Sequence, residues 1–293
     1  MGGWILPLWL TPFFFAAGAT VLVAADRNDT NPGSLLGRLA GITLLYSDTA
    51  LRFVCSETIN AKPGGTRRFE YIYVYGPDGK FKDYRTRAGS RSGKEINIAA
   101  ARLPRWLSQP YCWAFIFGPK RWSQFRYELK GEAEALGRPA FLVRFEPFDS
   151  IEKDVNDWFG TAWIDRKTLQ LLRVEAQTPE NYYQRKAFEG RLAAASATPL
   201  ESPRASFEIE SVATDFAIEK NGMRFPSEVL IEKSRFTVPG RRGKAFDMTH
   251  VYRVRQSYSD YRFFSVRSAE EIRSILSGQP AVPDQPLPIE PPH

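Results

Sequence analysis

Alternation with a period of two runs through most of this chain, and it limits the fold more than any other feature. In "FRYELK", Phe125, Tyr127 and Leu129 oppose Arg126, Glu128 and Lys130. Phe141, Val143 and Phe145 oppose Arg144 and Glu146, and Phe207 and Ile209 oppose Glu208 and Glu210. Val229 and Ile231 oppose Glu228 and Glu232. In the last long run, Phe246, Met248, Tyr252 and Val254 oppose Asp247, Thr249, Arg253 and Arg255. Successive side chains of a strand point to opposite faces, so each run predicts a strand wet on one side and apolar on the other. Strands of that kind belong to an antiparallel sheet.

Turn chemistry joins the runs into hairpins. "RRFEYIYVYGPDGKFKDYRT" turns at Gly76-Pro77-Asp78-Gly79, and "QFRYELKGEAEALGRPAFLVRFEP" turns around Gly137-Arg138-Pro139. "GTAWIDRKTLQLLRVEAQT" turns at Asp165-Arg166-Lys167-Thr168, and a further turn falls at Asn221-Gly222. In "LRFVCSETI", Leu51, Phe53 and Cys55 share a face. Residues 98–120, with Trp106 and Trp113 among prolines, read as helix or loop, and residues 179–204 as a long connection. No fixed-period repeat is visible, which argues against a propeller or solenoid.

Only one good amphipathic helix precedes these strands. Asn31 suits a cap and Pro32 the first helical position; Leu35, Leu36, Leu39, Ile42, Leu45 and Tyr46 then recur at helical spacing, predicting a helix over 32–49. A second, short helix is expected after the capping box of Ser268 and Glu271, ending at Gly278. One helix must therefore help cover many apolar strand faces. The expected fold class is mainly β: a curved antiparallel sheet, a half-barrel, wrapped around the N-terminal helix or around a ligand.

The first twenty-five residues carry no charge and end in small residues at Ala24 and Ala25. Residues 1–25 read as a cleaved signal peptide, with an uncleaved anchor through residues 4–25 as the alternative. Residues 26–277 read as a single β domain and residues 278–293 as a proline-rich tail. Either reading of the leader exports the body to a periplasmic or extracellular place. The formal charge of +7, from 40 basic and 33 acidic residues, is spread along strands and not gathered in an arm. That dispersal argues against nucleic acid and is compatible with an anionic membrane surface. The two cysteines, Cys55 and Cys112, allow one disulfide in an exported chain, with two buried thiols the equal alternative.

No catalytic constellation emerges. Of the two histidines, His293 is terminal and His250 lies in the last strand beside Met248 and Tyr252, so a histidine metal site is excluded. "GSRSGKE" at Gly89–Glu95 has three residues, not four, between Gly89 and Gly93-Lys94, and Glu95 stands where a phosphate loop needs Ser or Thr. No cofactor and no metal are expected, and the chain reads as a non-enzyme.

"GTAWIDRKTLQLLRVEAQ" resembles the small-x-apolar-Ile-Asp…Thr…Leu hairpin of the bacterial lipoprotein-localisation (LolA/LolB-like) superfamily. "MRFPSEVLIEKS" is similar to that group's apolar-Pro-x-x-apolar strand opening, and "YSDYRFF" to strand ends of exported members. The resemblance covers residues 33–267 in plan. It implies an unclosed β-barrel with a helix-plugged hydrophobic cavity for acyl chains. The expectation is an exported protein binding a lipid or other amphiphile; the alternative is an envelope sensor binding a protein segment. Parity puts Phe141, Phe145, Ile231, Met248 and Tyr252 on the apolar side, and Trp163 stands in the hairpin wall. These six are the candidate ligand contacts.

Overall fold

The helix forms where the leucine spacing places it. In the computed structural model α1 runs Pro32–Leu45, with Leu35, Leu39 and Tyr46 buried and Leu44 exposed. The structure describes residues 32–46, 52–75, 81–87, 112–148, 158–178, 181, 206–237 and 247–263. The leader, the helix expected near 268–277, the tail and the Gly76–Gly79 turn lie outside them, as does most of the 179–204 connection.

The alternating runs become strands β1 (Phe53–Lys62), β2 (Gly65–Tyr75), β3 (Phe81–Arg87), β4 (Phe125–Ala135), β5 (Arg138–Pro147) and β6 (Phe159–Asp165). They continue as β7 (Leu171–Gln177), β8 (Ser206–Asp215), β9 (Ile218–Lys220), β10 (Met223–Phe225), β11 (Glu228–Thr237) and β12 (Asp247–Phe263). Ten strands form one sheet in the order β3-β2-β1-β12-β11-β8-β7-β6-β5-β4, while β9 and β10 pair separately. Every pairing is antiparallel. The sheet does not close on itself: β3 and β4 are its two ends. Its apolar face packs on α1 in one continuous core, which is the half-barrel with a helix read from the sequence.

Of the 98–120 stretch that reads as helix or loop, the described part from residue 112 forms two 3-10 turns, Cys112–Phe115 and Pro119–Arg121. At the β9–β10 turn Asn221 and Gly222 take φ of 52° and 75°, the left-handed pair that a tight hairpin needs.

Bulges correct the simple parity reading. On β12, Lys233 pairs with Tyr252 and Ser234 with His250, so Val251 is an extra residue and the faces exchange there. Tyr252 and Val254 therefore stay with the core, whereas Met248 and His250 turn outward and are exposed. A second bulge lies in β12 opposite Cys55, where Asp260 takes φ 57°. It lets Tyr258, Tyr261 and Phe263 of "YSDYRFF" all face inward. In β7, Leu172 is the extra residue: Leu171 joins the main core, and Leu172 packs on the other face with Ala135, Ala140 and Trp163. In β8 the alternation is regular, but Val212 is the core-facing residue, so Glu208 and Glu210 share its face and Phe207 and Ile209 do not. A period of two says that two faces differ; it does not say which one meets the core.

Candidate functional site

The concave face of the sheet is the candidate site. Phe141, Phe145 and Ile231 lie in its wall, 8%, 0% and 0% exposed, and Tyr252 packs at its margin. The structure does not bring the other two candidates there. Trp163 belongs to the small outer cluster with Leu172, and Met248 is on the outer face, displaced by the β12 bulge.

Two pieces of chain that are not strands fill the concavity, together with Met223 and Phe225 of β10. One is α1. The other is the segment carrying Trp113, Ala114, Ile116 and Phe117, all buried. Trp113 packs against Phe145 and, edge-on at 5.6 Å, against Trp158. The Tyr127 hydroxyl donates to the Ile116 carbonyl at 2.5 Å, and burial pushes its pKa up. The two pieces touch where a Cβ on Gly118 would come within 3.2 Å of Thr43 Cγ2. Beside that contact a cavity of about 10 Å³ remains, lined by Leu39, Ile42, Tyr46, Phe117, Ile164 and Leu171 among others. It has room for about one water molecule. Among the described residues the concavity is thus plugged.

The hairpin over 159–177 holds the helix end of this plug. The Tyr46 hydroxyl lies 2.6 Å from the Arg224 carbonyl and 3.1 Å from Gln170 Oε1, and it accepts from the Arg224 N–H at 3.1 Å. Gln170 Nε2 donates to the Gly222 carbonyl, tying the β6–β7 connection to the β9–β10 turn. Burial drives the Tyr46 pKa upward, so the hydroxyl keeps its proton. At the other side of the turn, Asp165 Oδ1 accepts from the N–H groups of Lys167 and Thr168, and Oδ2 accepts from Arg138. Burial opposes its charge, but these bonds outweigh burial and hold its pKa below the usual carboxylate range.

A charged cluster inside the sheet was missed as such. Glu57 and Arg85 are each 1% exposed. Arg85 donates to Glu57 through Nε at 2.5 Å and Nη2 at 3.0 Å, while Gln256 and Tyr258 both donate to Glu57 Oε1 at 3.0 Å. The guanidinium also lies 4.5 Å from the centre of the Tyr71 ring. Burial disfavours its charge, yet the pair with Glu57 wins and raises its pKa. Parity carried a signal for this: Glu57 shares the face of Phe53, Cys55 and Ile59. Cys55 is buried on that face, but the Cys112 side chain is outside the described ones, so the disulfide remains an expectation.

No family model matches this chain, and no curated protein matches it. Solved structures are similar in plan. A DUF1329 family protein from Desulfovibrio piger aligns with a TM-score of 0.43 and 14% identity, over 82% of this chain and 96% of that one. A putative outer membrane lipoprotein-sorting protein domain from Vibrio parahaemolyticus gives 0.39 and 10%, over 82% and 97%. A LolA superfamily protein from Nitrosomonas europaea gives 0.35 and 9%, over 80% and 94%. At these identities and TM-scores the likenesses carry nothing about superfamily, ligand or partner.

Proposed function

We propose that this chain is an exported, non-enzymatic binding protein whose half-barrel takes the apolar part of an amphiphile, a lipid or acyl chain, in place of its plug. The supporting observation is that an apolar wall running from β2 to β4 is covered by α1, the 112–121 turns and the small β9–β10 pair, none of which belongs to the ten-stranded ladder. Displacing such a cover breaks side-chain contacts and a few hydrogen bonds and leaves the sheet ladder whole. Each methylene buried in exchange would contribute about 0.8 kcal/mol. The leader expected over residues 1–25 supports an envelope location, free or anchored.

A titration of the intact chain with a fluorescent acyl probe tests the reading. Stoichiometric binding is expected, weakened by Ile231→Gln in the wall and unchanged by Met248→Gln on the outer face, with folded yield checked for both. A folded wild type that takes up no probe rejects it. The second reading is a sensor that binds a protein segment on its surface, and the filled interior favours it over a ready-made lipid pocket.

A further inference from the structure

Strand β8 crosses the concave face from interior to mouth with one row of side chains: Thr214, Val212, Glu210 and Glu208. At the inner end, Thr214 is fully buried between Val174 of β7 and Val229 of β11, both core residues, and its hydroxyl has no hydrogen-bond partner. A valine in that place would leave no donor unmet. At the outer end, Glu208 accepts from Lys233 at 2.8 Å and Arg235 at 2.7 Å, and these bonds hold its pKa below the usual carboxylate range. Glu210 differs. Lys233 stands opposite it in register but turns to Glu208. Among the described residues, the Glu210 carboxylate accepts only from the Tyr252 hydroxyl, at 2.8 Å. It is half-buried, where the apolar wall of Val212, Ile231 and Val254 ends and the Tyr252 ring packs against that core.

We propose that this row reads the polar end of an amphiphile with an acyl carbonyl and a protonated amine, the amine at Glu210 and the carbonyl at the Thr214 hydroxyl. The assignment rests on the reading that the concave face takes an amphiphile in place of its plug. A carboxylate whose one donor is a neutral hydroxyl lacks a cation, and an ammonium group supplies both charge and N–H donors. The Thr214 hydroxyl can donate to an ester or amide carbonyl. Four residues of strand separate the two positions by about 13 Å, so one contact serves the linkage and the other the headgroup. A metal ion would need several such ligands, and no group of three is present among the described residues.

Calorimetric titration of the intact chain tests this, with lysophosphatidylethanolamine and lysophosphatidylglycerol of the same acyl chain. The wild type is expected to bind the ethanolamine lipid about threefold to tenfold more tightly. The formal excess of +7 works against that preference, so net charge does not produce it. Glu210→Gln keeps an acceptor for Tyr252 and should erase the preference without weakening the glycerol lipid. Thr214→Val should bind both ester lipids more weakly, leave an ether-linked analogue unaffected, and unfold no earlier than the wild type. Glu210→Gln lies at the half-buried margin, so it reads the site even if Thr214→Val folds poorly. Equal affinity for the two headgroups in the wild type, or a preference that survives Glu210→Gln, overturns the amine assignment and leaves the parent reading standing. A folded Thr214→Val protein that binds the ester lipids like the wild type overturns the carbonyl contact. A folded wild type that binds neither lipid overturns the parent reading, and this inference with it.

Discussion

At the scale of single residues, the buried Glu57–Arg85 pair is the most informative group. Arg85 reaches from the end strand β3 past β2 to Glu57 on β1, where Gln256 and Tyr258 of β12 also donate. It thus ties an edge strand, which hydrogen-bonds to β2, to the next two strands of the sheet. A buried pair contributes little net stability, but removing one partner is costly because the other charge stays buried. Arg85→Met is expected to cost about 3–5 kcal/mol by denaturant unfolding. The double change Glu57→Gln, Arg85→Met should recover at least half of that loss, since the amide still accepts from Gln256 and Tyr258. A single variant costing under about 1 kcal/mol would mean that water reaches the pair. Half of this cluster was legible: the parity of β1 placed a carboxylate among core residues. Its partner was not, because nothing local in "FKDYRT" tells which neighbour Arg85 will cross.

At the scale of elements, the hairpin of β6 and β7 shows both what a sequence pattern carries and where it stops. The small residue that opens the motif, Gly160, has a steric reason. A Cβ there would collide with the Glu175 carbonyl oxygen and lie 2.8 Å from Ala176 Cα. Gly160→Ala must therefore push β7 away from β6, in a strand that also pairs with β5. The expected loss is about 1–3 kcal/mol, the usual range for overpacking, read as a lowered unfolding midpoint. Unchanged stability would show that the two strands have slack. Strand positions, turns and the helix were readable because each depends on local period and turn chemistry. The faces were readable only between bulges. One extra residue, Val251, exchanged Met248 with the core side, and Leu172 did the same between Leu171 and its own neighbours. Nothing in composition marks either position, since the bulge is set by the partner strand. Asp260, with its left-handed backbone, is the exception: Asp is among the residues that tolerate that conformation.

At the scale of the molecule, the question is whether the plug moves as a unit. The sheet's ladders are long and continuous, whereas α1 has no backbone ladder to any strand, and its C-terminal end is held through the Tyr46 hydroxyl. Replacing Tyr46 with Phe keeps the ring that packs on Phe225 and removes the bonds to Arg224 and Gln170. Such a loss costs about 1–2 kcal/mol. If the open state is the one that binds, apparent affinity falls by the fraction that is open, so any free energy taken from the closed state returns as affinity. Tyr46→Phe is then expected to lower the unfolding temperature and yet to tighten binding of an acyl probe, by up to roughly tenfold for about 1.4 kcal/mol. Leu44→Ala, on the exposed side of the same helix, should leave probe affinity unchanged. The two readouts moving in opposite directions is the signature, because a purely structural role for Tyr46 would lower stability without raising affinity. A Tyr46→Phe protein that melts earlier and binds the probe no better would place the helix permanently in the core, and the concave face with it.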